Sequence, residues 1–356
     1  MNSNLRRSFT TVEAVLAGHP DKLCDLICDN ILDAYLLRDS QSTVAVECIG
    51  CGSTLVLAGE VSSSAEIDAI EIARDTCKQI GYNSDLRVEN LIGIQTQQTR
   101  QAVVAGAAGD QGIMYGYAIG NKSSNYLPVP THIVQSLARE IDALRKRNPD
   151  RYLPDGKVQI TYNGEAIQSL VISVQHSPES AIESLRHFIL TGAAEKLIDL
   201  SEVPNIYFNY NSKFYLGGFE VDSGLSGRKI IMDTYCGLAP HGGGSFSGKD
   251  PSKVDRTAAY MARYVAKNIV SNQLAGECLL SLAYVFGLEE PVMVSVETGQ
   301  AALNNSLTRL VNERFDFRPR AMIERLSMNS FTNFSKTANY GHFSDPAYPW
   351  EQIIQL

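Results

Sequence analysis

The chain repeats one pattern three times, and that repetition limits its fold more than any other feature. In the first pass a strand-like run, Phe9–Leu16, leads to a helical pattern at Asp21–Leu37. Strand patterns at Thr43–Ile49 and Thr54–Val61 follow, then a helix at Ala65–Ile80. The second pass gives strand Gly112–Ala118, helix Thr131–Arg147, strands Lys157–Tyr162 and Leu170–Gln175, and helix Pro178–Thr191. The third gives strand Lys229–Tyr235, helix Pro251–Ser271, strands Cys278–Phe286 and Val292–Glu297, and helix Ala302–Phe315. The first helices begin near residues 20, 131 and 251, offsets of 111 and 120 residues, each with a proline at its start (Pro20, Pro130, Pro251). A period this long predicts an α/β (α+β) chain of three equivalent units, each a sheet covered by helices on one face, and not a solenoid. The units are read as 1–106, 107–226 and 227–356.

The third pass carries the densest chemistry. Between its first strand and first helix lies His241–Lys249, H-G-G-G-S-F-S-G-K, too rich in glycine for regular structure. Asp250 reads as an N-cap with Pro251 at the first helical position, and Val254, Ala258, Met261, Val265 and Ile269 form one apolar stripe. Strand, glycine loop and helix start is the arrangement that cradles phosphates. Gly243-x4-Gly248-Lys249 nearly matches a P-loop, but Asp250 stands where that motif needs a hydroxyl for Mg²⁺. Arg228, Lys229, Lys249, Lys253 and Arg256 flank the loop, with Asp222, Asp250 and Asp255 among them. In a chain of net charge −8, cations concentrated beside a glycine loop predict a polyanion held with a divalent metal.

A pI near 5.3 argues against nucleic acid as a partner. No apolar run is long enough to span a membrane, and the first ten residues lack an apolar signal core. Seven scattered cysteines form no framework; Cys48-x-x-Cys51 is a single spaced pair where zinc needs four ligands. Reduced thiols fit a cytoplasmic location. Asp21, Asp25, Asp29 and Asp33 recur every fourth residue, which reads as a solvated helix face with Asp21 stabilised by the helix N-terminus. Glu47 and Glu60 end neighbouring strand patterns, where a buried acid needs a partner or a cation.

Four stretches together carry a family resemblance: Gly18-His19-Pro20-Asp21-Lys22, G-D-Q-G at 109–112, G-L-S-G-R-K at 224–229 running on to H-G-G-G-S-F-S-G-K-D-P-S-K-V-D-R at 241–256, and Y-G-H-F with P-W-E at 340–351. In this order and over nearly the whole chain, they resemble the S-adenosylmethionine synthetases (methionine adenosyltransferases). The resemblance implies three pseudo-equivalent domains with strands that cross between them. It also implies a homodimer or dimer of dimers with active sites at the interface, and two Mg²⁺ per site together with K⁺.

Residue by residue, the resemblance assigns His19 to the triphosphate and bridging oxygen of ATP, Asp21 and Asp255 to Mg²⁺ with Glu13 nearby, and Glu47 to K⁺, with His19 and Asp255 counted as catalytic. Glu60, Gln98, Asp110, Asp222 and Lys253 are assigned to methionine. Asp155, Lys157, Lys213, Phe214, Asp222, Arg228, Lys229, Ser245, Lys249 and Lys253 are assigned to ATP, with Lys157, Arg228 and Lys249 also catalytic. The sequence departs from the pattern at Ala17, Cys51, Ala107, Lys213 and Ser245.

The implied reaction explains the inventory. A neutral thioether must displace a triphosphate carrying about four negative charges, so catalysis is mostly positioning and charge neutralisation. A phosphotransferase is the competing enzyme class; a non-catalytic or altered-substrate ATP-binding homologue is the other alternative. The segment 99–108, T-R-Q-A-V-V-A-G-A-A, is shorter than the family's closing loop, which predicts weaker discrimination against bulkier S-alkyl homocysteines.

Overall fold

The structure, a computed structural model, describes residues 9–82, 85–95, 106–210 and 213–356. In chain order the elements are β1 (Thr10–Val15), α1 (Pro20–Arg38), β2 (Thr43–Cys51), β3 (Thr54–Ser62), α2 (Ala69–Ile80), β4 (Arg87–Ile94) and β5 (Gly112–Ile119). Then come α3 (Val129–Arg147), β6 (Tyr152–Tyr162), β7 (Ile167–His176), α4 (Ile182–Gly192), β8 (Asn205–Phe208), β9 (Gly224–Leu225) and α5 (Ile230–Asp233). The chain closes with α6 (Val254–Ser271), β10 (Glu277–Tyr284), β11 (Met293–Glu297), α7 (Ala301–Arg314) and α8 (Pro319–Arg325).

Three antiparallel hairpins, β2–β3, β6–β7 and β10–β11, are the repeated unit. Alternation drives each onto a core: Val44, Val46 and Cys48 face Leu55 and Leu57 inward, as Val158 and Ile160 do with Leu170 and Ile172. Each hairpin completes its sheet with a strand from elsewhere in the chain. The sheets are ordered β4-β3-β2-β9, β1-β6-β7-β8 and β11-β10-β5. Thus β1 leaves the first pass to pair with β6, β5 leaves the second to pair with β10, and β9 returns to β2. The units interlock through these strands.

They also share cores. Helices α1, α2 and α6 bury one continuous apolar cluster between the first and third sheets. A second cluster joins β1, β6 and β7 to α3 and α4. The expected stripe on α6 is buried, but so is the rest of the helix, with every residue from Arg256 to Val270 shielded. It lies so close to β5 that a Cβ on Gly116 would stand 1.9 Å from the Ala262 carbonyl carbon. Its cations are neutralised inside: Arg256 by Asp29 at 2.8 Å, Arg263 and Lys267 by Glu351 at 2.9 and 2.8 Å.

Three expectations are corrected. The acidic series on α1 is not a solvated face; Asp21, Asp25, Asp29 and Asp33 are all buried. Successive turns of the helix receive three segments of the C-terminal half, around residues 225–227, 248–256 and 334–335. Asp21 accepts the Leu225 amide and Asp25 the Gly227 amide, at 2.9 and 2.8 Å. Asp29 takes the Gly248 amide at 2.9 Å and both Arg256 nitrogens, and Asp33 the Phe334 and Ser335 amides. Amide donors and paired cations offset the desolvation that such carboxylates suffer.

The run Lys229–Tyr235 is not a strand but contains the helical turn α5. The Asp233 amide donates to the Lys229 carbonyl at 2.8 Å, and the Thr234 hydroxyl bonds back to the Ile230 carbonyl at 2.9 Å. Asp233 is pinned 2.6 Å from buried Lys22, and β9 fills the sheet position instead. Asp250 is likewise not the cap of α6, which begins at Val254 after Lys253. Its carboxylate instead accepts the Ser252 and Val44 amides, tying the loop to β2.

Candidate active site

The loop from β1 into α1 is held by packing against the second sheet: a Cβ on Gly18 would sit 2.3 Å from Pro154, and Tyr82 donates to the Gly18 carbonyl at 2.6 Å. His19 is the N-cap of α1, its Nδ1 accepting the Asp21 amide at 3.2 Å. That bond leaves Nε2 as the protonated nitrogen, a donor. Burial, with the Lys229 charge beside it, lowers the His19 pKa to about 4, so the ring is neutral near pH 7.

Asp21 lies two residues on. Burial alone raises its pKa, but the Lys229 ammonium and the Leu225 amide more than offset this and hold it below the ordinary value. Lys229 is paired directly with Asp21, and Arg228 stands 3.8 Å away. Register places Lys157 opposite Val15 on β1, 3.7 Å from Glu13. Asp155 is buried and accepts the Gly156 and Gly218 amides at 2.7 and 2.9 Å; burial pushes it up to about 6. The charge of exposed Asp222 reaches both His19 and Asp155. Phe214 runs beside β7, its carbonyl accepting the His176 amide at 2.9 Å, while its neighbour Lys213 is exposed.

A second group forms under the glycine loop. Asp255, in the first turn of α6, is 2.6 Å from Lys249. Glycine is required above it, since a Cβ on Gly244 would come within 2.4 Å of the Asp255 Oδ1. The turn carrying Asp110 passes the same carboxylate, with Asp110 exposed. Lys253 turns to Asp250 at 3.2 Å. Sequence reasoning passed over His241, whose Nδ1 accepts the Gly243 amide at 2.8 Å. Burial lowers its pKa to about 4. Its place at the head of the glycine run was the available signal.

Strand β2 joins the groups. The Lys249 backbone bridges Ala45, the Val46 amide donates to the Gly248 carbonyl, and a Cβ on Gly227 would meet the Ser245 hydroxyl at 2.7 Å. Glu47 projects between them, accepting the Ser226 hydroxyl, and burial raises its pKa. Ser226 is a second residue the sequence reading missed. Glu60 lies on β3 beside Gln95, whose amide donates to it at 3.3 Å. Gln98 and residues 99–105 lie outside the described residues.

The structure thus gathers Glu13, His19, Asp21, Asp155, Lys157, Asp222, Arg228 and Lys229 in one group, and Asp110, Ser245, Lys249 and Asp255 in another. Among the described residues no hydrogen bond or ion pair links the two directly, and no cluster of three His, Cys, Asp or Glu could hold a metal. Cys48 is buried and Cys51 exposed, on opposite faces of β2. Asp21 and Asp255 nevertheless fit a hard divalent cation: each presents a carboxylate oxygen to an ammonium, and Mg²⁺ asks only one or two carboxylates when phosphates and water complete its shell.

Three family models match the chain in succession: the S-adenosylmethionine synthetase N-terminal domain over residues 7–103, the central domain over 105–214 and the C-terminal domain over 216–352. The S-adenosylmethionine synthase of Petrotoga mobilis is 38% identical, with 99% of this chain and 98% of that protein aligned. That of Mesoplasma florum is 39% identical over 99% of both chains. The enzyme of Clostridium tetani is 38% identical over 99% of this chain and 98% of its own length.

Proposed function

The chain belongs to the S-adenosylmethionine synthetase family, and we propose that it transfers the adenosyl group of ATP to the sulfur of L-methionine. The thioether lone pair forms the S–C5′ bond as the C5′–O bond breaks, giving a sulfonium product and triphosphate. Water then cleaves the triphosphate to pyrophosphate and phosphate. The observation that carries the reading is the setting of His19: a neutral ring offering an Nε2 proton beside Lys157, Arg228 and Lys229 at a helix N-terminus.

A neutral donor suits this reaction better than an imidazolium. The bridging oxygen gains charge only as C5′–O breaks, so a hydrogen bond to it strengthens in the transition state. Lys157, Arg228, Lys229 and Lys249 neutralise the phosphates, while Asp155 on the second sheet and Asp222 before β9 position the nucleoside. Glu60 holds the methionine ammonium. The family is metal-dependent; Asp21 and Asp255 would hold Mg²⁺, which would supply charge neutralisation for the leaving group. Glu47 would hold K⁺, which would shape the site indirectly. Phosphotransfer is the weaker reading, since the glycine loop lacks the P-loop hydroxyl.

A homodimer with shared active sites is part of the proposal. Two observations support it. Asp21 and Asp255 each have their own lysine within one chain. The outer face of the β4-β3-β2-β9 sheet, which bears Glu47, also exposes Ile49, Leu91 and Leu225. A second copy of the chain covering that face would bury these apolar side chains. The described helices include none long and apolar enough to cross a membrane; a cytoplasmic location is part of the same reading. Incubating the protein with ATP, L-methionine, Mg²⁺ and K⁺ tests the activity. S-adenosylmethionine, phosphate and pyrophosphate in equal amounts support it, and a phosphorylated acceptor instead would overturn it.

A further inference from the structure

The side of the glycine loop facing α6 encloses a cavity of about 10 Å³, room for a single water. Ile113, Met114, Phe246 and Ala259 supply apolar walls, and His241 and Asp255 supply the polar groups. The ring orientation of His241 is fixed: Nδ1 accepts the Gly243 amide at 2.8 Å, so Nε2 carries the proton. Nε2 is buried and has no hydrogen-bond partner among the described residues. A buried N–H without an acceptor costs about 1–3 kcal/mol, so its persistence here calls for a role.

Asp255 presents its two oxygens differently. Oδ2 meets Lys249 at 2.6 Å. Oδ1 lies under Gly244, another wall of the cavity, where a Cβ would come within 2.4 Å. We infer that His241 is a positioning residue for Asp255, holding its carboxylate through one bridging water in this cavity. The water accepts from Nε2–H and donates to Oδ1, so Oδ2 stays directed toward the phosphate side. Metal-binding carboxylates are commonly oriented by such outer hydrogen bonds, and losing one typically costs about 10–100-fold in metal affinity.

The inference rests on the proposed reading of Asp255 as a cation ligand, and the test separates the two. Mn²⁺ binding to the full-length protein is measured by electron paramagnetic resonance with saturating inorganic triphosphate, for the parent and for His241→Gln, His241→Asn, His241→Phe and Asp255→Asn. Glutamine reaches the Nε2 position and can donate there; asparagine retains only the acceptor for Gly243; phenylalanine retains only volume. The inference predicts Mn²⁺ affinity within about threefold of the parent for His241→Gln, and 10–100-fold weaker for His241→Asn and His241→Phe. Each variant is expected to unfold within a few degrees of the parent. If His241→Asn binds as the parent does while His241→Gln fails, the residue serves only the loop through Nδ1 and the inference is overturned. Parent-like binding in all three variants overturns it as well. If Asp255→Asn itself binds Mn²⁺ normally, the ligand reading fails first.

Discussion

Replacing Asp29 with asparagine tests whether the acidic face of α1 organises the site. Asp29 and Arg256 are fully buried and joined by two parallel hydrogen bonds of 2.8 and 3.0 Å, and the Gly248 amide completes the carboxylate. Asparagine preserves shape and one acceptor but turns an amide N–H toward the guanidinium. Arg256 then keeps its charge inside the core with the Lys249 carbonyl, Thr337 and Tyr260 as its remaining hydrogen-bond partners and the Phe334 ring beneath it. Breaking one side of a buried pair costs about 3–5 kcal/mol, because the remaining charge is uncompensated. An exposed pair would lose only about 0–1 kcal/mol. Asp29→Asn is therefore expected to lower the unfolding free energy in urea by about 3–5 kcal/mol. It should also raise the KM for ATP, since the Gly248 amide loses its anionic acceptor. The double variant Asp29→Leu/Arg256→Met, which removes both charges, should recover at least half of the stability but not the KM. A loss below about 1 kcal/mol in the single variant would refute the reasoning.

Other outcomes follow from the same geometry. His19 is held at about 4 against an unfolded value near 6.5, so protonation favours the unfolded chain. The stability contributed by neutral His19 is full above 6.5 and is lost as pH falls toward 4; His19→Asn should flatten that part of the stability curve, measured by urea unfolding at intervals of pH. An unchanged slope would contradict the neutral ring. Asp21→Asn and Asp255→Asn should each lower kcat by about 10²–10³; near-normal turnover in either removes it from the site. Glu47→Gln should abolish the activation by KCl over NaCl at equal ionic strength, and a persistent potassium response would remove the K⁺ assignment.

Much of this was legible from the sequence because it is local. Helix spacing located α1, α3 and α6, and the glycine run located the loop that precedes α6. The ordered motifs carried the family. What was hidden depends on partners distant in sequence. An aspartate every fourth residue looks the same whether it faces water or Arg256, so the burial of Asp25, Asp29 and Asp33 had no local sign. Nor does a strand's own pattern say which hairpin it joins, since pairing energy lies in cross-strand neighbours; the exchange of β1, β5 and β9 could not be read from periodicity. Lys229–Tyr235 has strand composition, yet Thr234 and the Lys22–Asp233 pair close it into a turn. His241 was overlooked because its significance lies in an unpaired nitrogen, a property of packing.

The central claim is that the C5′–O bond of ATP breaks, and one isotope experiment reads that bond directly. The protein is turned over with L-methionine and ATP carrying ¹⁸O at the oxygen that bridges C5′ and the α-phosphorus. Adenosyl transfer predicts the whole label in the inorganic phosphate and pyrophosphate, with an unlabelled adenosyl group on sulfur. Label retained on the nucleoside product would mean that a P–O bond had broken, and the account would be wrong.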